Sequence, residues 1–297
     1  MKIGVPAILL LLALIGTTLF YARFIEPGNL EIHYQPISDP ILARTWGKIR
    51  IAQLSDLHIG TPGKRERKAL NFLAKIAPDL IVITGDLTQW GRRPEAALNF
   101  IKRLQAPLGV YAVLGDADLA AGRYRCRFCH PGNNYRKLRH CPRILRNEVL
   151  ETAAVSRGNR RLCIIGLGPA GETDIAGEFR KLGRKPAQGT PVLVLSHFSR
   201  AWARVCTRTD RPLLWLSGDT HGGQIRLPGW FWKFCKIKPD PDHMAGLFHY
   251  PGHHQWLYVN RGLGTTAWFP FRLGVRPEIT VFSFTPGKPE RTPGGRP

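Results

Sequence analysis

From Ile3 to Ala22 the chain carries twenty consecutive uncharged residues, dominated by Leu, Ile, Val and Ala. At a helical rise of about 1.5 Å per residue such a run covers roughly 30 Å, one bilayer crossing. A cleavable signal peptide is the competing reading, but its apolar region is about 7–15 residues long and ends at a small-x-small site. This run ends in bulky Phe20 and Tyr21. The pattern therefore predicts an uncleaved single-pass anchor over residues 1–23. Its orientation stays open, because Lys2 and the terminal amine on one side face Arg23, Arg44, Lys48 and Arg50 on the other.

Residues 24–48 read as a linker and first strand region. Past Gly47 the pattern changes to short apolar runs separated by polar loops: Ile49–Leu54, Leu80–Thr84, Val110–Leu114, Leu162–Gly166, Val192–Ser196, Leu213–Ser217 and Ile279–Phe284. Each has strand length and is rich in Val, Ile or Leu, and their near-continuous apolarity predicts strands covered on both faces. Amphipathic stretches at Arg65–Ile76 and Pro94–Leu104 lie between them, the second with Pro94 at a first helical position. This alternation is an α/β pattern. A domain over 49–285 is expected, with the Pro-, Gly- and Arg-rich residues 286–297 as a disordered tail.

The polar residues that follow the strands carry the chemistry. Ile49–Leu54 runs into Ser55-Asp56-Leu57-His58, Leu80–Thr84 into Gly85-Asp86, and Val110–Leu114 into Gly115-Asp116-Ala117-Asp118. Val192–Leu195 runs into Ser196-His197, and Leu213–Ser217 into Gly218-Asp219-Thr220-His221. Carboxyl ends of strands in α/β sheets are where ligands bind, so residues far apart in sequence can converge there. One Asp-x-His is weak evidence, since a turn residue beside a hydrogen-bonded His explains it; five such strand ends in series point to a divalent metal site.

These residues resemble the calcineurin-like metallophosphoesterases, whose pattern is D-x-H, G-D, G-N-H-D, a lone His and G-H-x-H. The likeness is nearest to a membrane-anchored bacterial branch. It is carried by Glu26-Pro27, Gln53-Leu54-Ser55-Asp56-Leu57-His58, Thr220-His221-Gly222-Gly223-Gln224-Ile225, Asn260-Arg261-Gly262-Leu263-Gly264-Thr265 and Pro277-Glu278-Ile279-Thr280, and spans about Ile25 to Phe284. It implies an α/β fold of two β-sheets packed as a sandwich and flanked by helices, four layers in all, after one transmembrane helix in a bacterial inner (cell) membrane. The implied reaction is in-line hydrolysis at phosphorus by two divalent metals. Carried over by position, Asp56, His58 and His221 would bind one metal, His197 the other, and Asp86 would lie between them.

The second metal's remaining ligands would fall at Asp116 and Asp219, where the family has Asn and His. Both replacements offer oxygen and make the site harder and more anionic, favouring Mn, Fe or Mg over Zn. Ala117 stands where the family places a His that contacts phosphate or protonates the leaving group. Losing a general acid costs about 10²–10⁴-fold, and pyrophosphates would suffer less than simple alkyl esters. The catalytic candidates are Asp86 and Asp118, the latter either a substitute acid or a carboxylate that accepts backbone amides. A catalytically degenerate metal- or haem-binding membrane protein is the alternative.

Charge adds the partner. The chain has 43 Lys+Arg against 21 Asp+Glu, a formal charge of +22; residues 1–23 contain Lys2 and Arg23 and no acid, so the rest keeps +20. Such a surface attracts phosphates or anionic headgroups. Eight basic residues, Arg123, Arg125, Arg127, Arg136, Lys137, Arg139, Arg143 and Arg146, lie in an acid-free stretch built around an insert at 119–147. Arg123 and Arg125 of the insert, with Arg261, are the substrate-binding candidates. The partners expected are an anionic, lipid-linked phosphorylated substrate, such as the UDP-diacylglucosamine cleaved by relatives of this kind in lipid A synthesis, and the membrane. No nucleic acid is expected and no protein partner is predicted, since only charge speaks for nucleic acid.

The insert also holds Cys126-Arg127-Phe128-Cys129-His130 and His140-Cys141. Cys126, Cys129 and Cys141 with His130 or His140 fit structural zinc. Cys-x-x-Cys-His also fits haem c, which leaves the second Cys-His pair unexplained, and a disulfide or plain thiols are the third reading. Cys163, in an apolar run, reads as core. His243, His249, His253 and His254 read as scattered surface histidines ahead of a metal cluster. Trp230, Phe231, Trp232 and Phe234 fit either an interfacial aromatic stretch or a buried loop.

Overall fold

The central strands divide their side chains between two different cores. In β2 (Ile51–Leu54) and β3 (Leu80–Thr84), Ile51, Leu80 and Val82 face one apolar cluster while Ala52, Leu54, Ile81 and Ile83 face another. Period-two alternation with apolar residues at every position therefore gives strands buried on both sides. The computed structural model describes residues 4–90, 92, 94–119, 143–152, 162–168, 189–226, 243–250 and 252–287. The basic cysteine-bearing segment 120–142, the aromatic stretch at 230–234, Cys235 and residues 288–297 lie outside the described residues.

Among these residues the strands form two six-stranded mixed sheets. In the first, β1 (Glu31–Ser38) pairs parallel to β12 (Glu278–Thr285), β12 pairs antiparallel to β2, and β2, β3, β4 (Val110–Val113) and β5 (Arg143–Ile144) continue in parallel. In the second, β10 (Gly246–His249) is antiparallel to β11 (Gln255–Val259). β11, β9 (Leu213–Ser217), β8 (Val192–Leu195) and β7 (Cys163–Gly166) are parallel, and β6 (Glu148–Glu151) closes the far edge antiparallel.

The sheets face each other across Ile51, Val82, Val113, Leu193, Leu195, Leu214, Leu216, Trp256 and Phe282. Helices α3 (Lys64–Ile76) and α4 (Glu95–Ile101) cover the first sheet through Ala69, Leu73, Ala97 and Ile101. Helix α5 (Trp202–Cys206) covers the second, where Cys163 and Cys206 are buried beside Trp215. The result is the four-layer sandwich.

Several boundaries differ from the sequence pattern. The β2 strand starts at Ile51 because Ile49 donates its amide to the Trp46 carbonyl. Pro94 caps α4 instead of entering it, and that helix ends at Ile101. Within residues 24–48 the strand is 31–38, where β1 pairs with β12 along its whole length. The polar-looking Glu31-Ile32-His33-Tyr34 pattern reflects an edge strand half open to solvent.

Helix α1 (Val5–Phe20) continues through turns at Tyr21–Ile25 and Glu26–Gly28, giving one helix long and apolar enough to cross a membrane. Its hydroxyls are satisfied internally, Thr17 and Thr18 bonding the Ala13 and Leu14 carbonyls at 2.8 Å.

Asp39 joins the layers. Its Oδ1 caps α2 (Pro40–Trp46) by accepting from the Ile41 and Leu42 amides (2.9 and 3.0 Å), while Oδ2 accepts from Trp256 Nε1 (3.0 Å) and meets His254 Nδ1 (2.9 Å) on the second sheet. Burial alone would raise this carboxyl, but the bonds from Trp256, Leu42 and His254 outweigh it and hold it below 3.8. Its contribution is thus present above that unfolded value and is lost as pH falls through the lower folded one. Asp39→Ala is expected to cost about 2–4 kcal/mol, a lost cap plus an unpaired buried indole N–H. The check is urea unfolding of the full chain in detergent, where the gap to wild type should shrink below about pH 4; equal midpoints at neutral pH would remove this role.

Candidate metal centre

Five parallel strands, β2, β3 and β4 of one sheet and β8 and β9 of the other, end at the same edge of the sandwich. Gln53 binds the sheets together just before it, donating from Nε2 to Thr84 Oγ1 and to the Ser217 carbonyl, each at 2.9 Å. Past the strand ends, loop amides continue the ladder: Asp56 N–H to the Gly85 carbonyl (3.1 Å), His58 N–H to Asp86 (2.9 Å) and Gly218 N–H to His197 (2.9 Å). Asp56, His58, Asp86, Asp219 and His221 all have φ between 42° and 73°. Asp and His tolerate this left-handed region better than most side chains, yet it costs energy and concentrates at functional sites. Glycine is required where chains meet: a Cβ at Gly218 would overlap Ser55 Oγ and Asp56 Oδ2, and one at Gly85 would overlap the His197 ring.

The geometry brings Asp56, His58, Asp86, Asp116, His197, Asp219 and His221 into one cluster of overlapping groups: Asp56 with His58 and His221, Asp56 with Asp86 and His197, and Asp116 with His197 and Asp219. His58 Nε2 lies 3.1 Å from His221 Nε2 and 3.2 Å from Asp86 Oδ2, and His221 Nε2 lies 3.5 Å from Asp56 Oδ1. His197 Nε2 points at Asp86, Asp116 and Asp219 oxygens 3.5, 3.6 and 3.7 Å away. It is buried and closes a hydrogen bond on none of them. Its Nδ1 is 2.9 Å from the Thr84 carbonyl, which fixes that nitrogen as a donor and aims Nε2 into the cluster.

Electrostatics points the same way. Burial pushes the Asp56 carboxyl up to about 6 and raises Asp86 well above its usual value, with neighbouring carboxylates adding to Asp86. Burial pulls His58 down to about 3 and His221 well below its usual value, so both imidazoles are neutral. For His197 burial opposes protonation, but Asp86, Asp116, Asp56 and Asp219 outweigh it and hold the ring well above the usual range. The field that draws a proton to His197 would draw a divalent cation. Neutral imidazoles, carboxylates and a buried unpaired nitrogen fit hard or borderline metal ions.

Two sequence candidates have other tasks. Asp118 is fully buried and accepts from the amides of Gly115 (2.9 Å), Thr88 (3.0 Å) and Leu87 (3.1 Å). Its lone pairs are taken by the loops after β3 and β4, so it braces the cluster and is not placed as an acid. Arg261, expected at the substrate, is held by Glu31 and Glu278, with Nε 2.6 Å from Glu278 Oε2. Ala117 is buried and offers only its backbone N–H, 2.9 Å from Asp86 Oδ1. Arg123, Arg125, Cys126, Cys129, His130, His140 and Cys141 lie outside the described residues. The four C-terminal histidines have separate partners: His254 with Asp39, His253 with Asp210, His249 with the His253 carbonyl, and His243 against Trp202 and Phe248.

A family model described as calcineurin-like phosphoesterase matches residues 49–223, from just before β2 through the last cluster histidine. The chain belongs to the calcineurin-like phosphoesterases. It is therefore a metallophosphoesterase, a hydrolase of phosphoester bonds whose family uses divalent metals. It is 28% identical over 273 residues to the uncharacterized metallophosphoesterase YkuE of Bacillus subtilis (89% of this chain, 88% of that one). It is 28% identical over 332 residues to the UDP-2,3-diacylglucosamine pyrophosphatase LpxG of Chlamydia trachomatis (94% and 97%). It is also 26% identical over 269 residues to the phosphodiesterase YaeI of Escherichia coli (88% and 90%).

Sequence reasoning missed Arg272. This phosphoesterase buries it completely, with no carboxylate among its side-chain partners at described residues. Its guanidinium donates to the carbonyls of Gly264 (2.6 Å), Arg261 (2.8 Å) and Val275 (3.2 Å) and lies 3.5 Å from His221 Nδ1. The turn it holds bonds the Ser55 and Asp56 carbonyls through Leu263 and Gly264. Burial lowers it to about 9, with the Arg65 charge adding. The signal was a lone charge inside Trp268-Phe269-Pro270-Phe271-Arg272-Leu273. Arg272→Lys keeps the charge but cannot reach every carbonyl, so the Mn concentration for half-maximal activity is expected to rise about 10–100-fold. An unchanged Mn dependence in a folded Arg272→Lys chain would remove Arg272 from the site.

Proposed function

We propose that this phosphoesterase is a membrane-anchored two-metal hydrolase that cleaves the pyrophosphate, or an activated phosphodiester, of an anionic lipid-linked substrate resembling UDP-diacylglucosamine. The observation that carries the two-metal reading is the overlap of three donor groups through Asp56 and His197. Asp56, His58 and His221 would hold one ion; Asp116, His197 and Asp219 the other. Asp86 faces both halves, Oδ2 toward His58 and Oδ1 toward His197. When bound, the metals would supply Lewis acidity and an activated water at phosphorus.

The chain's own residues set the remaining terms. Asp116 and Asp219 carry the partly exposed carboxylates, about a third open to solvent (34% and 39%), so substrate enters on their side. Oxygen donors at these positions favour Mn, Fe or Mg over Zn. The His197 imidazole holds the Asp116 carboxyl below the usual range, while burial raises that of Asp219. No side chain at position 117 reaches the leaving group. A departing phosphate needs no proton, whereas an alkoxide does, and this argues for a pyrophosphate. The lipid is supported by the pyrophosphatase relative aligned over 94% of the chain and by α1, which would hold the enzyme in a bacterial cell membrane. Arg123 and Arg125 are assigned to the substrate phosphates on charge.

Chelation of the purified full chain should abolish hydrolysis of a UDP-linked diacyl glycolipid, and added Mn should restore it. Asp86→Ala should lower that rate at least about 10³-fold; a rate within a few-fold of wild type would sink the assignment. Ala117→His should speed hydrolysis of esters with poor leaving groups at least about tenfold while leaving pyrophosphate cleavage nearly unchanged. Equal effects on both substrate types would show that leaving-group protonation is not what position 117 decides.

A further inference from the structure

The segment after Gly264 is tied down at both ends and exposed in the middle. At its start the Gly264 amide donates to the Asp56 carbonyl at 2.6 Å, inside the wall of the metal cluster. Midway, Thr266 N–H donates to Gln224 Oε1, and Gln224 Nε2 donates to the Phe269 carbonyl, each at 3.3 Å. Gln224 lies three residues past His221. At its end the Arg272 amide donates to the carbonyl of Ala22 at 2.9 Å, in the turn that continues the apolar helix. Ala22 is buried there.

Between these ties Trp268 is 80% exposed, the most open large apolar side chain among the described residues. Phe269 packs between Trp268 and Phe271, with ring centroids 5.8 and 5.4 Å away. Most other exposed large apolar groups belong to the helix and its exit, where Phe20, Phe24 and Ile25 remain open; Tyr34 and Trp90 are the exceptions. Trp268 lies four positions along the chain from Gly264 and from Arg272, so its Cα lies within about 14 Å of each. A polar pocket of about 290 Å³ shares this junction, walled by Tyr21 and Glu26 of the helix exit and by Glu31, Arg226, Arg261 and Arg276.

An exposed indole alone needs no explanation. This one belongs to a segment whose end is hydrogen-bonded to the exit of a helix that fits a bilayer, and a polar pocket is walled by residues of that same exit. Aromatic rings over charged groups are what a headgroup boundary accommodates. We propose that residues 265–271 form an interfacial loop. Trp268 enters the headgroup region of the bilayer that α1 crosses and holds the mouth of the metal cluster against it. The diphosphate then reaches the metals while the acyl chains stay in the membrane. This rests on the anchor and lipid-substrate reading above.

The test uses the full chain in nanodiscs of phosphatidylethanolamine and phosphatidylglycerol. Subtracting the emission of Trp268→Phe from wild type isolates the Trp268 indole. That difference spectrum should be blue-shifted and quenched by lipids brominated near the headgroup. Trp268→Asp should lower kcat/KM for a vesicle-embedded UDP-linked glycolipid about tenfold and leave bis(p-nitrophenyl) phosphate hydrolysis unchanged. A solvent-like, unquenched difference spectrum, or equal losses on both substrates, would overturn the loop. Quenching in a wild-type chain that never cleaves the glycolipid would uphold the loop and overturn the substrate reading instead. A chain that does not enter nanodiscs would overturn both.

Discussion

Burying carboxylates side by side at the seam of two apolar sheets is the constraint that the rest of this structure answers. Asp56, Asp86 and Asp118 are all nearly inaccessible to water, and each buried charge costs several kcal/mol even after relaxation. Asp118 is settled by three backbone amides. Asp56 takes the Asp219 amide at 3.1 Å, and Asp86 takes the Ala117 amide at 2.9 Å. Arg272 adds a buried positive charge behind His221. What remains uncompensated is the inner face, where carboxylate oxygens converge on His197. Divalent cations, which the family uses, are the kind of charge that such a face lacks.

That requirement explains features that look unfavourable in isolation. Five cluster residues in the left-handed region cost of order 1–3 kcal/mol each. The cost is borne because each sharp turn reverses the chain right at a strand end, so that a side chain from either sheet can face inward. The glycines at 85 and 218 are the counterpart: they let a second backbone or ring lie where a Cβ would be. Gln53, at 2.9 Å from groups on β3 and β9, keeps the two strand ends at one level. Fold and site are one construction, since the donors come from both sheets and neither sheet alone completes a ligand set.

Much of this was legible because it is carried by local pattern. Apolar runs gave β3 and β9 at their observed bounds and β2, β4, β7, β8 and β12 to within two residues, since full burial on both faces leaves little ambiguity. The Asp and His at the strand ends were legible for the same reason: position after a strand decides where a side chain goes. Edge strands β1, β5, β6 and β10 were harder, being short or half solvated, so their alternation is diluted. The fate of Asp118 could not be read, because its amide donors come partly from the loop after β3, some thirty residues earlier in the chain. Arg261 looked free by sequence, and only the packing of β1 and β12 brings Glu31 and Glu278 to it. Arg272 showed only as a lone charge in an apolar run, for a related reason. Its partners are backbone carbonyls, which leave no residue-type signal.

On the proposed function, Ala117 beside the cluster and the attachment of the domain to an apolar helix bear on the same question from two sides. An enzyme without a side chain at the leaving group must rely on substrates whose leaving group is already stable as an anion, and a phosphate within a diphosphate is one. Such substrates are polyanions, and the mouth formed by Asp116 and Asp219 would repel them unless metals were bound first. On the proposed function, metal loading would precede productive binding, and the basic surface, +20 outside the first 23 residues, would gather substrate around the entrance. Tying the wall of that entrance to the helix exit through Arg272 and Ala22 fixes where substrate can come from. If the acyl chains of the proposed substrate stay in the bilayer, what would have to approach the metals is the diphosphate alone, the part of such a molecule that a site built from carboxylates and imidazoles around divalent ions could use.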